Sequence, residues 1–103
     1  MVVYEITAQV LAELCQEFEK FMQLMHIPDV LATGSFVSAS FARSVPGRYR
    51  ICYMASNREA LDEYLKTHAP RLRNDFLERY SAGVDLSREE WELISTYSAD
   101  SAI

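Results

Sequence analysis

The order in which the hydrophobic period changes along this chain restricts its fold more than any other feature. In residues 2–10, Tyr4, Ile6, Ala8 and Val10 fall on one face and Glu5, Thr7 and Gln9 on the other. Such alternation marks a half-buried strand. From Leu11 the period becomes helical: Leu11, Leu14, Cys15, Phe18, Met22 and Met25 make one stripe, opposite Glu13, Gln16, Glu17, Lys20 and Gln23. His26-Ile27-Pro28 is expected to interrupt this helix, because a residue before proline is pushed toward extended geometry. Gly34 then ends a short segment.

Period two returns over residues 35–43, where Val37, Ala39 and Phe41 alternate with Ser38, Ser40 and Ala42. After the Pro46-Gly47 turn signal it continues in residues 48–55, with Tyr49, Ile51 and Tyr53 against Arg48, Arg50, Cys52 and Met54. Ser56 and Glu59 have the spacing of a capping box, which predicts a helix start. Its apolar stripe is Leu61, Tyr64, Leu65, His68, Leu72 and Phe76, split by Pro70 near Thr67. The last run is in conflict. Ser87 and Glu90 repeat the capping-box spacing, whereas Trp91, Leu93, Ser95 and Tyr97 alternate as a strand does. A strand is chosen, because it completes a sheet edge that three strands would leave open.

The resulting order, β-α-β-β-α-β, predicts an α+β ferredoxin-like plait: an antiparallel four-stranded sheet with the helices on one face. Residues 1–103 are read as a single domain, since no linker, repeat or low-complexity tract divides them. No apolar stretch nears the roughly 18 residues of a membrane span. The N-terminus has no basic segment followed by an apolar one. The expectation is a cytoplasmic protein without membrane association.

The net charge of −5 disfavours nucleic acid, whose phosphates need a positive surface. The same element order occurs in RNA recognition motifs, which stack bases on outward aromatics of the third strand. Here Tyr49 and Tyr53 share parity with Ile51 and face inward. The outward positions are Arg48, Arg50, Cys52 and Met54, so no stacking platform exists. Cys15 on the helical stripe and Cys52 on the outer face cannot meet disulfide geometry. No Cys or His pair has ligand spacing, and neither a metal nor a cofactor is expected. Phosphate loops, G-x-S-x-G and HExxH are absent, which argues against a serine-type or zinc-type hydrolase.

The stretches HIPDVLATGSF (residues 26–36) and THAPRLRND (residues 67–75), with GRYRICY and SREEWE, resemble a bacterial family of short domains, the domain of unknown function 4286 family. The likeness covers nearly the whole chain. That family is similar to the dimeric α+β-barrel group, which includes small-molecule monooxygenases and isomerases. The resemblance implies a plait whose sheet packs on a second copy, and hence a homodimer. It supplies no catalytic residues. Where Cys52 stands, glutamine is expected in many members.

The sheet face away from the helices is therefore the first candidate surface. It is expected to carry Glu5, Thr7, Gln9, Ser38, Ser40, Arg50, Cys52 and Met54. Four strands spaced at about 4.8 Å, each about eight residues long, give roughly 500 Å², near the largest patch a monomer exposes. One reading is a non-enzymatic or regulatory homodimeric module that uses this face as a wet interface. The alternative is a cofactor-independent enzyme or binder of small molecules, monooxygenase- or isomerase-like, with a half-polar cavity. In that reading Arg50 holds an anionic group, His68 moves a proton and Cys52 shapes the wall. Arg71 or Arg73 could also hold a small anionic ligand through a bidentate guanidinium. His26 and His68 have sufficient structural explanations, as a donor at a helix C-terminus and as a donor beside a proline break.

Overall fold

The computed structural model describes residues 1–100. The end of the expected domain, residues 101–103, lies outside the described residues. The first period-two run forms β1 (Val2–Val10), which is central in the sheet. It pairs antiparallel with β3 (Arg48–Ala55) on one side and β4 (Val84–Glu92) on the other. β2 (Ser38–Arg43) pairs antiparallel with β3 and forms the far edge, giving the order β2-β3-β1-β4. Tyr4 lies opposite Tyr53, Ile6 opposite Ile51 and Ala8 opposite Tyr49. Residues directly opposite in antiparallel strands share a face. This register therefore stacks the apolar sets of β1 and β3 beneath the helices. The fourth strand chosen over a helix is present, but it ends at Glu92, and residues 93–97 of the expected run lie beyond it.

The Pro46-Gly47 turn is tightly built. Gly47 has φ +85°, and a Cβ there would lie 2.7 Å from the Val10 carbonyl oxygen. The Val10 N–H in turn donates to the Gly47 oxygen at 2.8 Å. Glycine is thus required both for its backbone angle and for the close approach of β1.

Between β1 and β2 the chain makes a 3₁₀ turn (Ala12–Leu14), α1 (Cys15–Phe21), a π turn (Met22–His26) and α2 (Ile27–Ala32). The expected break at His26-Ile27-Pro28 is absent; the helix runs through it. The Ile27 N–H reaches back to Met22 oxygen, a five-residue bond that adds one residue to the turn. Pro28 then sits in the first turn of α2, where its missing N–H costs little. The extra residue rotates the helix face. Met25, expected in the core stripe, is 52% exposed, while Phe21, Met22 and Val30 are buried. Leu11, which precedes the helix, is also exposed.

The second helical segment is α3 (Arg58–Thr67) and α4 (Ala69–Arg79), divided at the expected place. The cap of α3 is Asn57 rather than Ser56: Asn57 Oδ1 accepts the Ala60 N–H at 2.8 Å. Arg58 bonds both Asp62 and Glu90, which ties α3 to the edge strand β4. Phe18, Leu61, Ala8 and Ala55 have no exposed surface and mark the centre of the core. Val37, expected in the core, is exposed: β2 starts at Ser38, three residues later than expected, and Phe36 is buried instead. Leu65, Ile6, Leu14 and Phe41 are half-buried against the core. Among the described residues no helix is long and apolar enough to cross a membrane.

Candidate functional site

The strands divide the chemistry-bearing residues between two sides of the sheet. On the open side the pairing Ser40–Cys52–Glu5–Glu89 crosses all four strands, with Arg50, Thr7 and Ser87 in the next row. Gln9 and Ser38 lie on the same face in the flanking rows. Glu5 is the hub of this face. Its Oε1 accepts from Arg50 Nη1 at 3.3 Å and its Oε2 from Trp91 Nε1 at 2.7 Å. Arg50 is thereby already engaged by a carboxylate. Beside it a shallow polar depression of about 360 Å³ is lined by Thr7, Arg43, Ser44, Arg48 and Arg50.

His68 and Arg71, expected to join these residues, lie across the sheet on the helix side. His68 is the joint between α3 and α4: its N–H donates to Tyr64 oxygen at 2.9 Å and its oxygen accepts the Leu72 N–H at 3.2 Å. Its ring lies 6.3 Å from that of Tyr64. Arg71 is exposed and faces Asp75 at 3.5 Å on its own helix. The nine expected site residues therefore do not form one pocket. Cys15 and Cys52 are free thiols on opposite sides of the sheet.

The helix side holds a different set. β1 presents Tyr4 under α4, and Arg73 Nη2 donates to Tyr4 Oη at 2.9 Å. The Tyr4 ring stands 6.3 Å from Phe36 and from Tyr53, and 6.0 Å from Tyr64. A narrow cavity of about 40 Å³ runs between these rings, the π turn and α4. Its polar wall is Tyr4, His26, Tyr53, Tyr64, Arg73 and Arg88. Through Arg73, Phe76, Leu86 and Arg88 it adjoins a groove of about 270 Å³ between α4 and β4. Neither wall contains a carboxylate, although the chain has 15 acidic residues and a net charge of −5.

The electrostatics follow from this enclosure. Burial pushes the Tyr53 phenol far above its ordinary value and that of Tyr64 up to about 12, so both are neutral donors at pH 7. Arg73, Arg88 and Arg71 pull Tyr64 the other way. Burial also lowers His26, whose ring lies 5.7 Å from Phe21 and 5.5 Å from Phe76. Asp29 and Asp75 oppose that shift, and Arg88 reinforces it. A third cluster is Tyr49, whose Oη donates to Glu19 Oε2 at 2.6 Å, with Arg43 Nη1 2.9 Å from the same oxygen. It pins the β2–β3 ribbon to α1. Among the described residues no three His, Cys, Asp or Glu side chains cluster as metal ligands would.

Sequence reasoning singled out Arg73 and His26 without joining them, and passed over Arg88. Parity held the missing signal. Arg88 is in phase with Val84 and Leu86, so it is a cation on the core side of an edge strand.

Sheet order and helix placement define an α+β ferredoxin-like plait, and solved structures of that form match it. A protein of Deinococcus radiodurans named for antibiotic biosynthesis monooxygenases is 18% identical, with a TM-score of 0.70 over 95% of this chain and 97% of that one. The heme-degrader MhuD of Mycobacterium tuberculosis, with two hemes bound in its active site, is 22% identical, with a TM-score of 0.70 over 95% of this chain and 100% of that one. A variant of MhuD with two manganese protoporphyrin IX molecules per active site gives 20% identity and a TM-score of 0.73, over 96% and 100% of the two chains. No curated protein matches the sequence. The chain belongs to the family described as "Domain of unknown function (DUF4286)", whose profile matches residues 1–94.

Proposed function

We propose that this protein binds a small, single-ring or similarly compact apolar anion between α4 and the sheet. The observation that carries the reading is the wall chemistry: two arginines and neutral phenols over aromatic and aliphatic side chains, without a carboxylate. Arg73 and Arg88 would hold the charged end at the groove. The apolar end would lie in the groove of about 270 Å³, against Phe76, Leu77, Tyr80 and Leu86. Such a combination, mostly apolar with a few fixed polar groups, is what small-molecule sites use.

MhuD supports the reading to the extent that heme, a flat apolar ring system bearing carboxylates, occupies its active site. Heme itself does not fit here. The cavity of about 40 Å³ is far below the roughly 300 Å³ of drug-sized pockets, and the ring stack of Tyr4, Phe36, Tyr53 and Tyr64 fills the space above the sheet.

The test is calorimetric titration with benzoate and with its neutral analogue benzamide. Benzoate is expected to bind at least about tenfold more tightly, equivalent to about 1.4 kcal/mol. Arg73→Gln and Arg88→Gln should each erase most of that preference. Equal binding of the two compounds, or binding of neither, would end the proposal.

The open sheet face supports a second reading, a homodimeric module in which that face joins two copies. Its charges divide by strand, with Arg48 and Arg50 on β3 and Asp85 and Glu89 on β4. A copy turned about an axis along β1 would set the basic strand over the acidic one. The two readings are compatible, because ligand and second copy would occupy opposite sides of the sheet.

A further inference from the structure

His26 lines two spaces of opposite character. On its inner side is the cavity whose charged wall residues are Arg73 and Arg88. On its outer side is a groove of about 400 Å³ between the π turn and α4, lined by Asp29, Asp75, Glu78 and Arg79. Leu72 also borders both, but His26 is the titratable side chain that does. The π turn creates this position. The added residue sends Met25 to solvent and brings His26 against Phe21 and Phe76. π turns of this kind are frequent at functional sites.

We propose that His26 is the proton acceptor of the cleft: each anion bound on the inner side brings one proton from solvent onto the imidazole. This rests on the reading of the cleft as an anion site. No covalent bond changes; the proton comes from solvent through the outer groove, and the product is a paired imidazolium and anion. Burial between Phe21 and Phe76 is what disfavours the charged form of His26, and the surrounding charges act on top of it in both directions. From β4, Arg88 disfavours a positive charge there; from α4, Arg73 lines the same cavity. From α2 and α4, Asp29 and Asp75 favour the charge, with Glu78 beyond them and Arg79 set against them. Tyr53 and Tyr64 contribute neutral hydroxyls near pH 7. An anion seated on the two arginines removes the repulsion on the inner side. The balance then passes to Asp29 and Asp75. Linkage makes the effect reciprocal: if the anion favours protonation, protonation must favour the anion by the same factor.

The experiment follows the imidazole ring signals by NMR across pH, with and without benzoate. The chain has two histidines, so His68→Gln assigns them. Saturating benzoate is expected to raise the His26 midpoint and leave that of His68 in place. Benzoate affinity should rise about fivefold or more as pH falls from about 8 to about 5, within the usual range of coupling between sites. His26→Gln should keep binding but flatten that dependence. Binding of benzoate with an unmoved His26 midpoint overturns the proton linkage and leaves the anion site standing. Absence of benzoate binding overturns both. Should His26→Gln not fold, the titration of the unmodified protein decides alone.

Discussion

The two faces of the sheet share the same four strands and are built on different physics. The helix-covered face is held by burial. Tyr4, Ala8, Tyr49, Ile51 and Tyr53 are each at most 4% exposed, and their neighbours are aromatic rings and methyl groups. The open face is held by backbone pairing and by charge: Glu5 between Arg50 and Trp91, with Asp85 and Glu89 beside it. The covered side can therefore shape a cavity, because its walls are fixed by packing from three directions. The open side is a surface, and it acquires an enclosed geometry only from a second body. Charge within the chain follows the same division. The acidic residues that give the chain its net charge are excluded from the walls of the inner cavity, while arginines lie at its mouth.

Unequal substitutions on the two faces test that contrast. Phe18 has no exposed surface and packs on Phe41, Tyr49, Phe76 and Tyr80. Phe18→Ala should lower unfolding free energy by about 3–5 kcal/mol, read from the denaturant midpoint. Thr7→Ala on the open face should change it by about 0.5 kcal/mol or less. Comparable losses at the two sites would mean that the open face is covered and packed in solution.

Gly47→Ala comes next, because it adds a Cβ at positive φ against the Val10 carbonyl. A loss of about 1–3 kcal/mol is expected. An unchanged melting temperature would show that the β2–β3 turn is not locked to the end of β1.

Tyr4→Phe removes the acceptor of Arg73 and keeps the ring. It should cost about 1 kcal/mol, the usual net value of one hydrogen bond, and weaken benzoate binding in the same titration. A loss of stability with unchanged benzoate affinity would separate the Tyr4–Arg73 contact from the anion site.

Acid sensitivity should be a property of the covered face. Burial lowers the His26 pKa below its ordinary 6.5, so the unfolded chain binds the proton more readily than the folded one. Stability should then fall as pH drops from about 6.5 through the lowered value, since it declines wherever the unfolded state holds more protons. Melting curves from pH about 7 to about 5 should show this decline, and His26→Phe should reduce it. An equal decline in the variant would assign the acid sensitivity elsewhere.

Arg50→Gln, like Thr7→Ala, should have only a small effect on folding. Its exposed pair with Glu5 contributes at most about 1 kcal/mol. The informative readout is assembly. Sedimentation of the unmodified protein should give twice 11.8 kDa at micromolar concentration, and Arg50→Gln should weaken that association. A monomer before and after the change would leave the open face solvated and remove the homodimer.

The elements were legible in the sequence because each rests on local physics. Alternation in residues 2–10 and 48–55 set the strand parities. Pro70 set the division between α3 and α4. Even the conflict at residues 87–90 yielded to the need for a sheet edge: Ser87 and Glu90, three apart, take opposite faces of the strand, Ser87 on the open side and Glu90 toward Arg58 of α3. What the sequence did not show was assembled across elements. Nothing local to His26 reveals that a five-residue hydrogen bond turns it inward, because that turn is stabilised by the packing of Phe21, Met22 and Phe76 around it. Nothing local to Tyr4, Arg73 or Arg88 reveals that strand order sets them around one cavity, since they come from β1, α4 and β4. His68 and Arg71 were grouped with the open-face residues for the same reason, although they belong to the helix layer. Periodicity gives the face a side chain takes on its own element. The side of the molecule that face meets is decided by how the elements pack.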